Sequence, residues 1–441
     1  MSSQFINPML HIDEDAQTDD SIQSYKRFAF QAITGTDYNN ASPIVIRVEN
    51  SDSYFRPCDS EIEFEGEIVK ETGGGAFTKA EALLALINNG IMHLFDNIKY
   101  ELSSIEIDSV YLPGQATTMF GLLTKNQNYI DGAGLSSCWA PDGGSGDASD
   151  KNDGWETRRK FLFLNDRTGA GHEEPASGKF RFLVRLEDIF GFAADYNRVM
   201  YGFTHTLTLI RNLNHKDALF GTNGAAAGKV VFSKISWILP IVEPSQVAGY
   251  ELVKLINKQR TFSIDFRARN CVTTLVPEQT NFQWRLGIKT EKPRYIVLGF
   301  QTARENDQEK NLGLFDHCKL KNAYVVLNNQ RYPAMDYHVD FVKNHYNCVY
   351  REFYQFLKKY YGISNSVTQT AVDPIDYKHL FPLIVFDVSR QSEKIASAIV
   401  DITVQCFFHA NVTAGTKAYC LLISDRRLKF KSDGTKASLV Y

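Results

Sequence analysis

Nowhere does this chain approach the run of about 18 uninterrupted apolar residues that a membrane-spanning helix requires. Its first residues lack a charged head followed by an apolar core, so no secretory leader is expected. The 7 cysteines include no CxxC pair and no Cys/His cluster. An odd cysteine count of that kind fits a reduced protein made inside a cell and does not fit a disulfide framework. The N-x-S/T sequons at Asn40 and Asn411 are then accidental. Charge of one sign is also missing: 48 Lys and Arg against 51 Asp and Glu leave a net −3. Such a balance provides no chain-wide basic field for nucleic acid.

Signatures of chemistry are equally sparse. Glycine-rich words at 73–75, 132–146 and 221–228 lack the GxxxxGK[ST] pattern and the strand–helix context of a phosphate loop, and read as turns. There is no Gly-x-Ser-x-Gly elbow, and no cysteine has a recognisable catalytic partner. His172 stands beside Glu173 and Glu174 in DRTGAGHEEP, a solvated loop unless ligands arrive from elsewhere. His205 falls in the apolar register of a strand, as a core or interface histidine would. His338 and His345 do not make an HExxH motif. Glu187 and Asp188, if in a strand, would point to opposite faces and could not form a carboxylate dyad. No catalytic, cofactor-binding or metal-binding residue is assigned, and an enzyme is not expected.

Strand-forming residues are what the chain has in abundance. Its 30 Phe and 21 Tyr favour pleated, half-buried surfaces, and 44% apolar content is enough for a large core. Phe28, Phe30 and Ala32 share one face, and Ile44, Ile46 and Val48 another. Residues 199–209 alternate Val199, Tyr201, Phe203, Leu207 and Leu209 against Thr204, Thr206 and Thr208. The same period runs through Phe282, Trp284, Leu286 and Ile288, and again through Val400, Ile402, Val404, Cys406 and Phe408. Strands at this density, separated by polar turns, indicate β-sandwiches and not a βαβ sheet.

The pattern is also written twice. Phe95-Asp96-Asn97-Ile98-Lys99 is echoed by Phe315-Asp316-His317-Cys318-Lys319, 182–212 by 381–411, and GKVVFSKISW from Gly228 by GTKAYCLLISD from Gly415. Order and patterning agree, giving two copies of one all-β unit with a period of about 200 residues. The expected organisation is a flexible acidic arm over 1–24, a first sandwich over 25–243, a connecting segment over 244–259 and a second sandwich over 260–441. The first copy carries a surplus rich in Gly, Ser and Asp at 131–155, predicted as an exposed loop. Three helices are predicted. One follows the Thr78/Glu81 capping box and stops at Asn89-Gly90; one covers 245–258; one runs over 341–361 to Gly362. In the last, Tyr350, Tyr354 and Tyr361 are predicted on the exposed side, available to subunit contacts. Arg426, Arg427, Lys429, Lys431 and Lys436, after the last clear strand, form the one basic concentration. It reads as a solvated tail or a neighbour contact, with packaged genome as the alternative partner.

The stretch RTFSIDFRARNCVTTLVPEQTNFQWRLGIKTEKPRYIVLGFQT, residues 260–302, resembles the opening of the second jelly roll in double jelly-roll major capsid proteins. The style is that of Polinton/Maverick elements, adintoviruses and virophages, above all Lys292-Pro293-Arg294-Tyr295 followed by Ile296-Val297-Leu298-Gly299-Phe300-Gln301. The resemblance extends over most of 25–441. It implies two tandem eight-stranded jelly rolls with a few short helices. It also implies a homotrimeric, pseudo-hexameric capsomer that tiles an icosahedral shell, with penton or minor capsid proteins as partners and the virion as location. Other structural roles, a penton or minor capsid protein or a domesticated relative, stay open, as does a tandem β-sandwich carbohydrate-binding protein. A penton would carry one jelly roll, and a secreted lectin would carry disulfides.

Overall fold

Alternation of apolar and polar residues builds, among the described residues, sixteen principal strands, eight in each half of the chain. In the first half they are β1 (Ile22–Gln31), β2 (Ile44–Val48), β3 (Glu61–Lys70), β4 (Phe95–Leu102), β5 (Ile105–Tyr111), β6 (Lys179–Arg185), β7 (His205–Arg211) and β8 (Gly228–Pro244). The second half repeats the set as β9 (Thr261–Leu275), β10 (Asn281–Arg285), β11 (Pro293–Thr302), β12 (Leu320–Leu327), β13 (Gln330–Tyr332), β14 (Ile384–Asp387), β15 (Ile402–Phe408) and β16 (Thr416–Ser432). The computed structural model describes residues 19–33, 37–49, 52–164, 178–258, 261–287, 290–363, 370–390, 399–432 and 437–440.

Each half makes two antiparallel sheets in one topology. In the first the orders are β1-β8-β3-β6 and β2-β7-β4-β5; in the second, β9-β16-β11-β14 and β10-β15-β12-β13. Every strand thus has its counterpart eight places later, and both halves are jelly rolls. The long central strands β8 and β16 are each 17 residues. Trp237 of β8 lies between Phe30 and Ile62, and Leu422 of β16 lies between Asn270 and Ile296. Facing sheets close on aromatic side chains: Phe64 meets Phe95 at 5.5 Å in the first roll, and Phe300 meets Phe408 at 5.6 Å in the second. Each such ring, fully buried, contributes about 1.5–3 kcal/mol.

Three longer helices join the strands: α1 (Pro113–Thr124), α2 (Gln246–Asn257) and α3 (Asn347–Tyr361). Helix α2 starts at Ser245, whose hydroxyl accepts from the Ala248 N–H, as the predicted segment requires. Helix α3 ends at Gly362 with φ 65°, a left-handed stop that glycine adopts without strain. It starts at Asn347, later than periodicity implied, because Asp340 and His345 bond to each other across a tight turn. Tyr361 is exposed as expected, but Tyr350 and Tyr354 are half-buried against the core.

Several expectations are corrected. The helix predicted after Thr78 does not form. Glu81 does accept from the Thr78 N–H and hydroxyl, yet Leu84–Leu86 is a strand paired with Leu219–Gly221. Ala82 and Leu84 to Ile87 are all buried, so a locally helical sequence is overridden by a sheet partner from far along the chain. The strand read from 199 begins only at His205. The FDHCK word precedes β12 and does not open it: Asp316 accepts from the Thr302 N–H and from Arg304, which holds the word in a loop. The arm expected to Ser24 has already become strand at Ile22, while residues 1–18 lie outside the described residues.

The surplus at 131–155 is a packed segment, not an exposed loop. Cys138, Trp139, Asp142, Asn152 and Trp155 are buried in it. Arg158 reaches Asp142 at 2.8 Å and the Leu86 carbonyl at 2.7 Å, while Asn152 donates to Asp142 at 2.8 Å. Small polar residues built this segment by satisfying one another around a buried guanidinium.

Candidate functional site

The residues predicted as weak chemical candidates are dispersed. His205 is buried, with Nδ1 2.8 Å from the Tyr100 hydroxyl, and burial pushes its pKa down to about 3. It is a neutral core histidine. Glu187 and Asp188 do not lie in a strand but in a short helix, Leu186–Ile189, and both pair with Arg185. Burial would raise the Asp188 carboxyl, but Lys125 and Arg185 outweigh it and hold it below the usual range. Among the described residues no group of His, Cys, Asp or Glu could hold a metal ion. His172, Glu173 and Glu174 lie outside the described residues. All 7 cysteines are free. Among the described residues no helix is long and apolar enough to cross a membrane.

The basic run is also relocated. Arg426, Arg427, Lys429 and Lys431 are not a tail but the last part of β16, paired along β9, and Lys436 lies outside the described residues. Asp265 across the ladder takes up the charge of Arg427. Arg426 donates to the Glu106 carbonyl of the first roll at 3.4 Å. The alternation of Arg427, Lys429 and Lys431 with Leu428 and Phe430 is a strand pattern, but the density of charge hides it until β9 supplies a partner.

What the fold assembles is a seam between the two rolls, which sequence reading missed. Strand β9 lies against β5 and against the short helix Gly191–Asp195 of the first roll. Gly191 is needed by close approach, since a Cβ there would stand 1.7 Å from the Arg267 carbonyl oxygen. Phe192 meets Phe266 edge-on at 5.7 Å, and Phe203 meets Phe430 at 5.5 Å. Arg267 donates through its backbone N–H and its Nε to Asp195 at 2.8 and 2.9 Å, and its guanidinium lies 3.7 Å over the Tyr360 ring. Burial would lower the Arg267 pKa, but the Asp195 carboxylate and the tyrosines raise it. Arg269 donates to the Glu187 and Asp188 carbonyls at 3.0 Å and stacks 3.6 Å over Phe120.

Beneath these lies Asp108, fully buried on β5. Burial pushes its pKa up to about 6, against the Phe192 N–H it accepts from and the charges of Arg269 and Arg426. Helix α1 completes the seam: Phe120 packs on Phe356 and Tyr360 of α3, and the Leu122 carbonyl accepts from Thr370 at 2.6 Å. A seam of ion pairs, stacked guanidinia and edge-on rings holds two sandwiches in one fixed orientation. It is suited to presenting surfaces.

This is an architecture of two paired jelly rolls, and comparison with known proteins agrees. The sequence model of the double jelly roll-like domain matches residues 157–428. The chain belongs to the double jelly roll-like domain family. No curated protein sequence matches it. Among solved structures, it is similar to a chain of the Sputnik virophage structure at 10% identity and TM-score 0.60, with 100% of this chain and 93% of that one covered. The mavirus major capsid protein is similar at 9% identity and TM-score 0.54, covering 100% and 95%. The Faustovirus major capsid protein follows at 9% identity and TM-score 0.53, covering 97% and 92%.

Proposed function

We propose that this chain is the major capsid protein of a virus or virus-like element and forms a homotrimeric, pseudo-hexameric capsomer that tiles an icosahedral shell. The observation that carries this reading is the strand-for-strand duplication locked by the seam. Two similar lobes per chain let three chains fill a sixfold lattice position with only threefold symmetry. The role is structural, not enzymatic, and the site of action is the virion. Partners are further copies of the chain, neighbouring capsomers and penton or minor capsid proteins. The base of β16, with Arg426, Lys429 and Lys431, is the surface on which genome contact would fall.

Light-scattering mass measurement and electron microscopy test the reading. Three chains of 50.0 kDa should give a particle of about 150 kDa with a hexagonal outline. A stable monomer would favour a tandem-sandwich binding module instead.

A further inference from the structure

Both rolls make a long connection from their fifth to their sixth strand, from β5 to β6 in the first and from β13 to β14 in the second. The two connections meet where the Ala371 N–H donates to the Lys125 carbonyl at 3.3 Å. Beside that contact is a cleft of about 440 Å³, within the range of small-molecule sites. The first roll contributes Asp131, Asp142 and Asp153 to its walls, and the second contributes Asp376. Among the described residues no lysine or arginine lines it, and Asp131, Asp153 and Asp376 form no ion pair.

Asp142 is the most telling of the four. Its side chain is 0% exposed, and Arg158 and Asn152 both donate to Oδ1. Oδ2 is left without a hydrogen-bond partner among the described residues. A buried carboxylate oxygen in that state is costly until a donor reaches it. Asp153 and Asp376 stand in the first turns of the short helices Asp153–Arg159 and Pro374–His379. Helix starts favour an acid at each place singly, but do not account for four carboxylates around one cleft without a cation. Burial pushes the Asp376 carboxyl above its usual range, Asp373 adds to this and His379 opposes it. The rest of the lining includes Ile130, Leu135, Val372 and Phe381.

We propose that this cleft binds a linear polyamine, its ammonium groups on the carboxylates of both rolls and its methylenes along the apolar lining. The spread of the acids decides the chemistry. A metal ion needs ligands that converge on one point, and among the described residues no group of His, Cys, Asp or Glu could hold one. Separated carboxylates suit a cation whose charges are themselves spaced along a chain. Each ammonium group is a compact charge with several donors, as Asp142 Oδ2 requires, and its aliphatic stem can cover apolar surface. The site lies within one chain, so it stands or falls apart from the assembly reading. A ligand held by both connections ties the two rolls together and, binding only the folded chain, raises its melting temperature.

Calorimetric titration of the full chain with spermidine tests this. One saturable site per chain should appear and persist at physiological salt, and spermidine should raise the melting temperature. Asp153→Asn and Asp376→Asn, one from each roll, should each weaken binding about tenfold, while Glu251→Gln on α2 leaves it unchanged. The diamine 1,3-diaminopropane, with fewer charges, should bind more weakly than spermidine. Absence of a saturable site, or wild-type affinity in both D153N and D376N, overturns the proposal. Magnesium that displaces spermidine at equal charge reduces the cleft to a counterion surface and also overturns it. A trilysine peptide that binds more tightly than spermidine would make the occupant a protein side chain and overturn the polyamine. Should D376N melt early without ligand, Asp131→Asn takes its place in the same titration.

Discussion

His205 shows how much a single buried side chain demands. Its imidazole sits among Phe55, Tyr100 and Trp237, with one nitrogen on the Tyr100 hydroxyl. Burial holds its pKa at about 3, and that of His93 likewise at about 3. The unfolded chain takes up these protons near pH 6.5, so it binds more protons than the native state below that pH. Native stability is therefore lost as pH falls from about 6.5 toward 3, at about 1.4 kcal/mol per pH unit for each histidine. Asp108 works the other way. Its raised pKa means that its contribution is fully present below the unfolded value of 3.8 and is lost as pH rises through about 6. Between pH 7 and pH 5 this one aspartate does not offset the two histidines, so these three groups together make the fold less stable in acid. Denaturant unfolding at pH 7 and pH 5 measures this. His205→Gln should be less stable at pH 7, yet lose about 2 kcal/mol less than wild type on going to pH 5. An unchanged loss would mean that His205 is not held neutral.

At the scale of elements, local signals succeed where a segment closes its own hydrogen bonds and fail where a distant segment supplies them. Helix α2 needed only Ser245 and its own backbone. The 131–155 segment depends on Arg158 from beyond its end, whose side chain and that of Asp142 are 2% and 0% exposed. Arg158 also donates to the Ala140 carbonyl, which ties the segment's middle to its exit. Removing one partner of such a pair leaves a buried charge alone. Arg158→Ala should cost about 3–5 kcal/mol and open 131–155 to protease, read by melting and by mass spectrometry of the fragments. A variant that melts with wild type and resists cleavage would show that the segment holds itself.

Across the whole molecule, the seam decides whether two rolls act as one body. Edge-on rings, the Arg267–Asp195 pair and the contact at Gly191 all cross it. Calorimetry of the wild type should show one unfolding transition, since neither roll can open without exposing Phe266 and Phe192. Gly191→Val forces backbone apart at the Arg267 carbonyl and should split that transition in two, lowering the first by several degrees. On the proposed assembly it should also abolish hexagonal particles, because lobes loosened at the seam cannot keep a fixed outline. A single, unshifted transition in the variant would remove the seam from this role.

The sequence by itself determined the strand content, the duplication and the helices at α2 and α3. These follow from period-two alternation, from caps and stops, and from residue types, all of which act over a few neighbouring positions. Only the tertiary structure decided that 84–86 is a strand, that 131–155 is packed and that the basic run belongs to β16. It alone also separated β1, in which no residue is buried, from β9, where Ile264, Phe266 and Ala268 are buried. Burial is a relation between segments far apart in the chain, and a local pattern states which face is apolar without naming what will cover it.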